Sequence, residues 1–150
     1  MRVYDLIAKK RDGGTHSREE LEQIVGAKRC YEVTGHKPSS SYTITKMMWM
    51  KKHKPEIYSK TYKVLTAKDV IVYKLTGRMC TDYSDASGYM AYNYRTKQWD
   101  REMIEACGLN YSMVPEIVSG IEVAGYVTKE AAEASGLAEG TPVVPGGMDG

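Results

Sequence analysis

The chain has 150 residues with 21 basic and 19 acidic side chains, a formal net charge of +2. That balance excludes both the high-charge signature of disorder and the surplus of cations that phosphate-tracking proteins carry. The length suits one ordinary domain with a real core and is too short for a large single-chain enzyme; phenylalanine is absent, so 12 Tyr, 9 Met and 2 Trp supply much of the apolar volume.

No stretch approaches the roughly 18 apolar residues of a membrane span, and the opening MRVYDLIAKKRDGG lacks a signal-peptide core. Cys30, Cys80 and Cys107 are odd in number and widely spaced, which indicates neither a disulfide framework nor a zinc site. A cytoplasmic protein with no nucleic-acid or membrane partner is expected. The basic residues from Lys46 to Lys74 are interrupted by Glu56 and Asp69 and read as a solvated helix face.

In chain order, Ser17 followed by Glu20 is a capping-box pattern, and Leu21, Ile24 and Val25 share a helical face before Gly26. Pro38 and the serines at 39 to 41 mark a loop. Ile44, Met47 and Met48 then keep helical spacing until Pro55, with Trp49 off that face. Thr66 and Asp69 form a second capping-box pattern, an apolar run covers Val70 to Leu75, and Gly77 stands where a C-terminal cap belongs. Beyond it, Met90, Tyr92 and Tyr94 alternate with Ala91 and Asn93, the period of a strand. Asp100 is placed to cap a helix ending before Gly108. Val123 to Val127 reads as a strand, Thr128 as the cap of a helix over 129 to 135, and Gly136 as its stop. Pro142, Val143 and Val144 read as a short buried strand that leads into Pro145-Gly146-Gly147-Met148-Asp149-Gly150.

The GGMDG segment has two readings: a turn in which glycine supplies unusual backbone angles, or a carboxylate on rigid backbone with glycines letting a substrate come close. Thr81 to Gly88 is dense in short polar residues, and Asp82 with Asp85 lacks the ligand pattern of a calcium loop, so a structural turn is expected there. His16, His36 and His53 have no paired spacing and read as ordinary surface or core residues. No Walker phosphate loop is found.

The segments Thr45-Lys46-Met47-Met48-Trp49, Pro55-Glu56-Ile57-Tyr58, Leu75-Thr76-Gly77, Thr81-Asp82-Tyr83-Ser84-Asp85-Ala86-Ser87-Gly88, Trp99-Asp100, Gly136-Leu137 with Gly140-Thr141-Pro142-Val143, and Gly146-Gly147-Met148-Asp149 together resemble the FGGY carbohydrate kinases, xylulokinase-like members above all. Order and spacing agree from about Tyr31 onward. The resemblance implies an α/β chain that is part of an actin-like, ribonuclease-H-like domain, incomplete at both ends. Residues 1–150 would be a partial N-terminal, sugar-binding domain, with the ATP-binding C-terminal domain absent.

It further implies a fragment of an ATP-dependent sugar kinase that phosphorylates a hydroxyl of a ketose or polyol. Asp149 falls on the family's general base, and Tyr42 or Ser41 falls near the sugar. No cofactor-binding or metal-binding residue is expected in this chain; ATP and Mg2+ would belong to the full-length parent. The family's D-x-G-T and W-x-D-x-R motifs are not found, and Gly150 stands where several members have an amide residue. The isolated chain is therefore expected to be inactive. A sugar is the expected partner, with a homodimer open. The alternative is a non-catalytic truncated remnant that binds a partner chain through a bare sheet edge.

Overall fold

The structure, a computed structural model, describes residues 25–148. The helix expected from Ser17 and Glu20, with His16, lies outside the described residues apart from Val25. In chain order the described elements are α1 (Ala27–Thr34), α2 (Thr43–His53), α3 (Pro55–Lys60), α4 (Ala67–Thr76), β1 (Cys80–Asp82), α5 (Tyr83–Ser87), β2 (Tyr92–Asn93), β3 (Gln98–Trp99), α6 (Arg101–Ala106), a 3-10 turn (Tyr111–Met113), β4 (Glu116–Val118), β5 (Gly125–Tyr126), α7 (Lys129–Ser135) and β6 (Pro142–Val143). They divide into two compact units with interleaved chain: the residues up to Thr61 with Ser87–Tyr111, and Tyr62–Ala86 with those from Ser112 onward.

In the first unit, α1 buries Cys30, Val33 and Thr34, the i, i+3, i+4 stripe of a helix packed on one side. Gly35 ends it in the left-handed conformation, φ 73°, and donates its N–H to Tyr31 O. This helix was not foreseen, because its apolar stripe is one cysteine, one valine and a threonine. The α2 helix follows the expected spacing and buries Ile44, Thr45 and Met47. Pro55 ends that pattern but opens α3 as its first residue, where a missing N–H costs nothing.

The strand expected over 90–94 is shorter. Met90 takes φ 63°, so the alternation runs into a turn, and only Tyr92 and Asn93 pair, antiparallel, with Trp99 and Gln98. Tyr89 and Tyr92 pack on Trp99 with ring centroids 4.9 and 6.5 Å away, which supplies the aromatic volume that phenylalanine would otherwise give. Asp100 caps α6 as expected, accepting from Met103 N at 2.8 Å.

The second unit is built on α4. Thr66 and Asp69 form both halves of the expected capping box, and Gly77 closes the helix at φ 76°. Of the apolar run, Val72 is buried whereas Val70 and Ile71 are exposed; the run is wider than the face that packs. Val72 meets Cys80 and Ala124 in a core to which Val118 and Val143 add.

Three residues of β1 pair in parallel with β4, Cys80 with Glu116, Thr81 with Ile117 and Asp82 with Val118. Neither strand was foreseen, since a three-residue strand shows no period of its own; β1 buries Cys80, Thr81 and Asp82, whereas Ile117 and Val118 of β4 are half-buried. Of the strand expected over 123–127, Gly125 and Tyr126 pair antiparallel with Val143 and Pro142. Thr128 caps α7 and Gly136 stops it at φ 78°. The strand before the glycine-rich segment is present but not buried: Val143 is half-buried and Val144 exposed.

Candidate functional site

The site is built where the chain leaves the carboxyl ends of the parallel strands, the place where open α/β sheets receive ligands. Asp82 ends β1, and Gly120 follows β4 by two positions. Gly120 O accepts from Gly146 N at 3.0 Å, and a Cβ at Gly120 would collide with the Gly146 carbonyl oxygen. Glycine at 120 lets the turn after β6 lie directly on the backbone that follows β4.

Lys68, in the first turn of α4, points its ammonium into three carboxylates. Nζ is 3.1 Å from Asp69 Oδ1, 3.0 Å from Asp82 Oδ1 and 3.1 Å from Asp85 Oδ2. It also donates to Pro145 O at 3.0 Å. The side chain of Asp69 is fully buried and that of Asp82 nearly so. Burial works against the charge on Lys68, but the carboxylates of Asp82, Asp69 and Asp85 outweigh it and raise its pKa. Burial likewise works against the charge on Asp82; the Ser84 hydroxyl, the Lys68 ammonium and the Ser84 N–H outweigh it and hold the carboxyl below the ordinary carboxylate value.

Ser84 is the second fastener. Its hydroxyl donates to Asp82 Oδ2 at 2.5 Å, which directs its lone pairs away from Asp82, and one of them accepts from Met148 N at 2.8 Å. Two backbone groups of the glycine-rich turn, Pro145 O and Met148 N, are thus tied to one buried ionic cluster.

Asp149, the expected base, lies outside the described residues, as does Gly150. Its sequence neighbour Met148 is the last residue described. Ser41 and Tyr42 belong to the first unit and the glycine-rich turn to the second. Tyr42 stands immediately before α2, and its carbonyl oxygen accepts from Thr45 Oγ1 at 2.7 Å. Its ring lies 5.4 Å from that of His36, centroid to centroid. His36 Nε2 is 2.6 Å from Ser87 Oγ, so this histidine is fixed from the end of α5 and supports the Tyr42 ring. Ser41 is exposed and bonds Ser39 Oγ at 2.8 Å.

Sequence reasoning did not single out His36, Ser87 or Lys68 for these contacts. A signal existed only for Lys68, which sits inside the Thr66–Asp69 capping box with Asp82 and Asp85 further along the chain. The expected polar turn at 81–88 is a strand end followed by the short helix α5, because Asp82 accepts from Ser84 N and Asp85 N and so opens a helical turn.

Among the described residues no group of three or more His, Cys, Asp or Glu is placed to hold a metal ion. Asp69, Asp82 and Asp85 do not fit Mg2+, because the Lys68 ammonium already takes the place of the cation among them.

The family model for the N-terminal domain of the FGGY family of carbohydrate kinases matches residues 2–150. The chain belongs to this family. A xylulose kinase of Escherichia coli (strain K12) is 36% identical over 117 residues, covering 78% of this chain and 24% of that protein. One of Staphylococcus xylosus is 30% identical over 138 residues, covering 90% of this chain and 29% of that protein. The crystal structure of xylulose kinase from Rhodospirillum rubrum superimposes with a TM-score of 0.79 at 24% identity, covering 99% of this chain and 28% of that one. This FGGY chain therefore has the actin-like α/β fold of sugar kinases and spans between about a quarter and three tenths of the relatives it matches. No helix among its described residues is long and apolar enough to cross a membrane.

Proposed function

We propose that this chain is the sugar-binding part of an ATP-dependent kinase that phosphorylates a hydroxyl of a ketose or polyol, a xylulose-type ketopentose first among them. The observation that carries the proposal is the family match over residues 2–150, and the names of the relatives support the sugar. Asp149 is the proposed general base. An ionised carboxylate can take the proton of the attacking sugar hydroxyl. Ser41 and Tyr42 are proposed sugar contacts, the ring of Tyr42 being held against His36.

Phosphoryl transfer rests mainly on positioning the phosphates and the metal. The binding of ATP and Mg2+ is assigned to other parts of the enzyme, so residues 1–150 by themselves should not turn over. Nothing observed favours the partner-binding remnant over the kinase.

The test is Asp149→Asn in the complete enzyme, with xylulose and ATP as substrates. Loss of a general base costs on the order of 10²- to 10⁴-fold in rate, so kcat should fall by that factor while the sugar KM moves little. A variant that keeps near-normal turnover rejects Asp149 as the base.

A further inference from the structure

We infer that Ser84 and Lys68 are positioning residues for the sugar kinase reaction, acting through the backbone of the glycine-rich turn that precedes Asp149; the inference rests on the proposed role of Asp149. Among the described residues the glycine pair of the turn has few side-chain neighbours. Gly146 takes φ 73° and has nothing within 4 Å of where a Cβ would stand, and Gly147 would meet only Ser84 Oγ, at 3.5 Å. Met148 is exposed. Glycines give such a segment many conformations in the absence of fixed contacts.

Among the described residues, three hydrogen bonds hold its backbone. Gly146 N donates to Gly120 O, Pro145 O accepts from Lys68, and Met148 N donates to Ser84. The first sets the turn on the end of β4. The other two hold one backbone group on each side of the glycine pair, and both lead to the same carboxylate: Lys68 is 3.0 Å from Asp82 Oδ1 and Ser84 Oγ is 2.5 Å from Asp82 Oδ2. Asp82 closes a ring that runs from Pro145 through Lys68 and Ser84 to Met148. Since Asp82 is held by β1 and buried, the ring ties the Gly147–Met148 peptide, which precedes Met148 and Asp149 in the chain, to the sheet.

The chemistry explains why a serine is used. An ionised carboxylate accepts only, so the Ser84 hydroxyl must donate to Asp82 and keeps its lone pairs for the Met148 N–H. A base displaced by about 1 Å loses on the order of 10²-fold in rate, because proton abstraction requires hydrogen-bond distance to the sugar hydroxyl. Loss of one of two fasteners should cost less than loss of the base.

The experiment uses Ser84→Ala, Ser84→Thr, Asp149→Asn and the double variant Ser84→Ala/Asp149→Asn of the complete enzyme, with kcat, sugar KM, ATP KM and melting temperature measured for each. Ser84 is exposed, so the alanine should fold. Expected for Ser84→Ala is a kcat about 10- to 100-fold lower, with both KM values within about threefold. Ser84→Thr keeps the hydroxyl and should recover most of the loss. In the double variant the serine change should have no further effect, because its partner in catalysis is gone. A purely structural role would lower the activity of both backgrounds by the same factor.

Ser84→Ala with kcat within twofold of the parent, while Asp149→Asn has lost 10²-fold or more, overturns the positioning role and leaves the base in place. Equal losses from Ser84→Ala in the two backgrounds also overturn it. Asp149→Asn with normal turnover overturns the base assignment and the positioning role together.

Discussion

The ammonium of Lys68 and the carbonyl oxygen of Pro145 are 3.0 Å apart across 77 positions of sequence. One end of that bond lies in the first turn of α4 and the other at the start of the glycine-rich turn. The same ammonium is shared among three aspartates, so the stability of this unit and the placement of its turn depend on one cluster of charges.

The cluster predicts a particular pH dependence. The carboxyl of Asp82 has a folded-state pKa below its unfolded value of about 3.9. Its contribution is complete above that unfolded value and is lost as pH falls through the lowered folded one. Lys68 has a raised folded-state pKa; its contribution is complete below about 10.5 and is lost as pH rises through the raised value. Stability should therefore be flat with respect to this cluster from about pH 5 to pH 10. Lys68→Met leaves buried carboxylates without their cation, a change that costs about 3 kcal/mol. Urea unfolding at pH 7 and at pH 3 checks it: the difference from the parent should shrink at the lower pH, and an equal difference at both would refute the electrostatic account.

At the carboxyl end of β4 the prediction is steric. A methyl group at 120 meets the Gly146 carbonyl oxygen, a backbone atom that cannot rotate away, with Asp82 Cβ 3.6 Å off. Gly120→Ala should cost about 1–3 kcal/mol as an overpacked site and should shift the Gly146 and Met148 amide resonances. Gly136→Ala is the control: it has φ 78° and nothing within 4 Å, so its cost of about 1 kcal/mol comes from the left-handed backbone alone. Resonances of the turn that stay in place in Gly120→Ala would show that the backbone contact is absent.

Thr81 gives a prediction of opposite sign. It sits in β1 with no exposed surface, and its Oγ1 is buried without a hydrogen-bond partner among the described residues. A buried hydroxyl left unpaired carries a desolvation cost of about 1–3 kcal/mol. Thr81→Val keeps the β-branched shape that suits a strand and removes the polar atom, so it should raise stability by about 1 kcal/mol. A fall in melting temperature would reveal that the hydroxyl is bonded.

Local sequence determined the ends of the helices. The Thr66–Asp69 box, the Asp100 and Thr128 caps and the left-handed stops at Gly77 and Gly136 are where they were expected, because a cap is a contact between residues two to four apart and its chemistry is written within one turn. Motif order likewise led to the family, which the match over 2–150 bears out. Tertiary structure decided what spans longer intervals. The parallel pairing of Cys80 with Glu116 and the interleaving of two units have no local signature, since two strands of three residues show no periodicity and their partners lie more than thirty positions away. The same holds around the expected site. Asp149 and Tyr42 are proposed from motif position, whereas the clasp from Lys68 and Ser84 onto the turn, and the His36–Ser87 pair behind Tyr42, exist only once distant segments meet: a lysine or serine is common on any solvated helix, and it acquires its contacts from the carboxylate and backbone groups that folding brings to it.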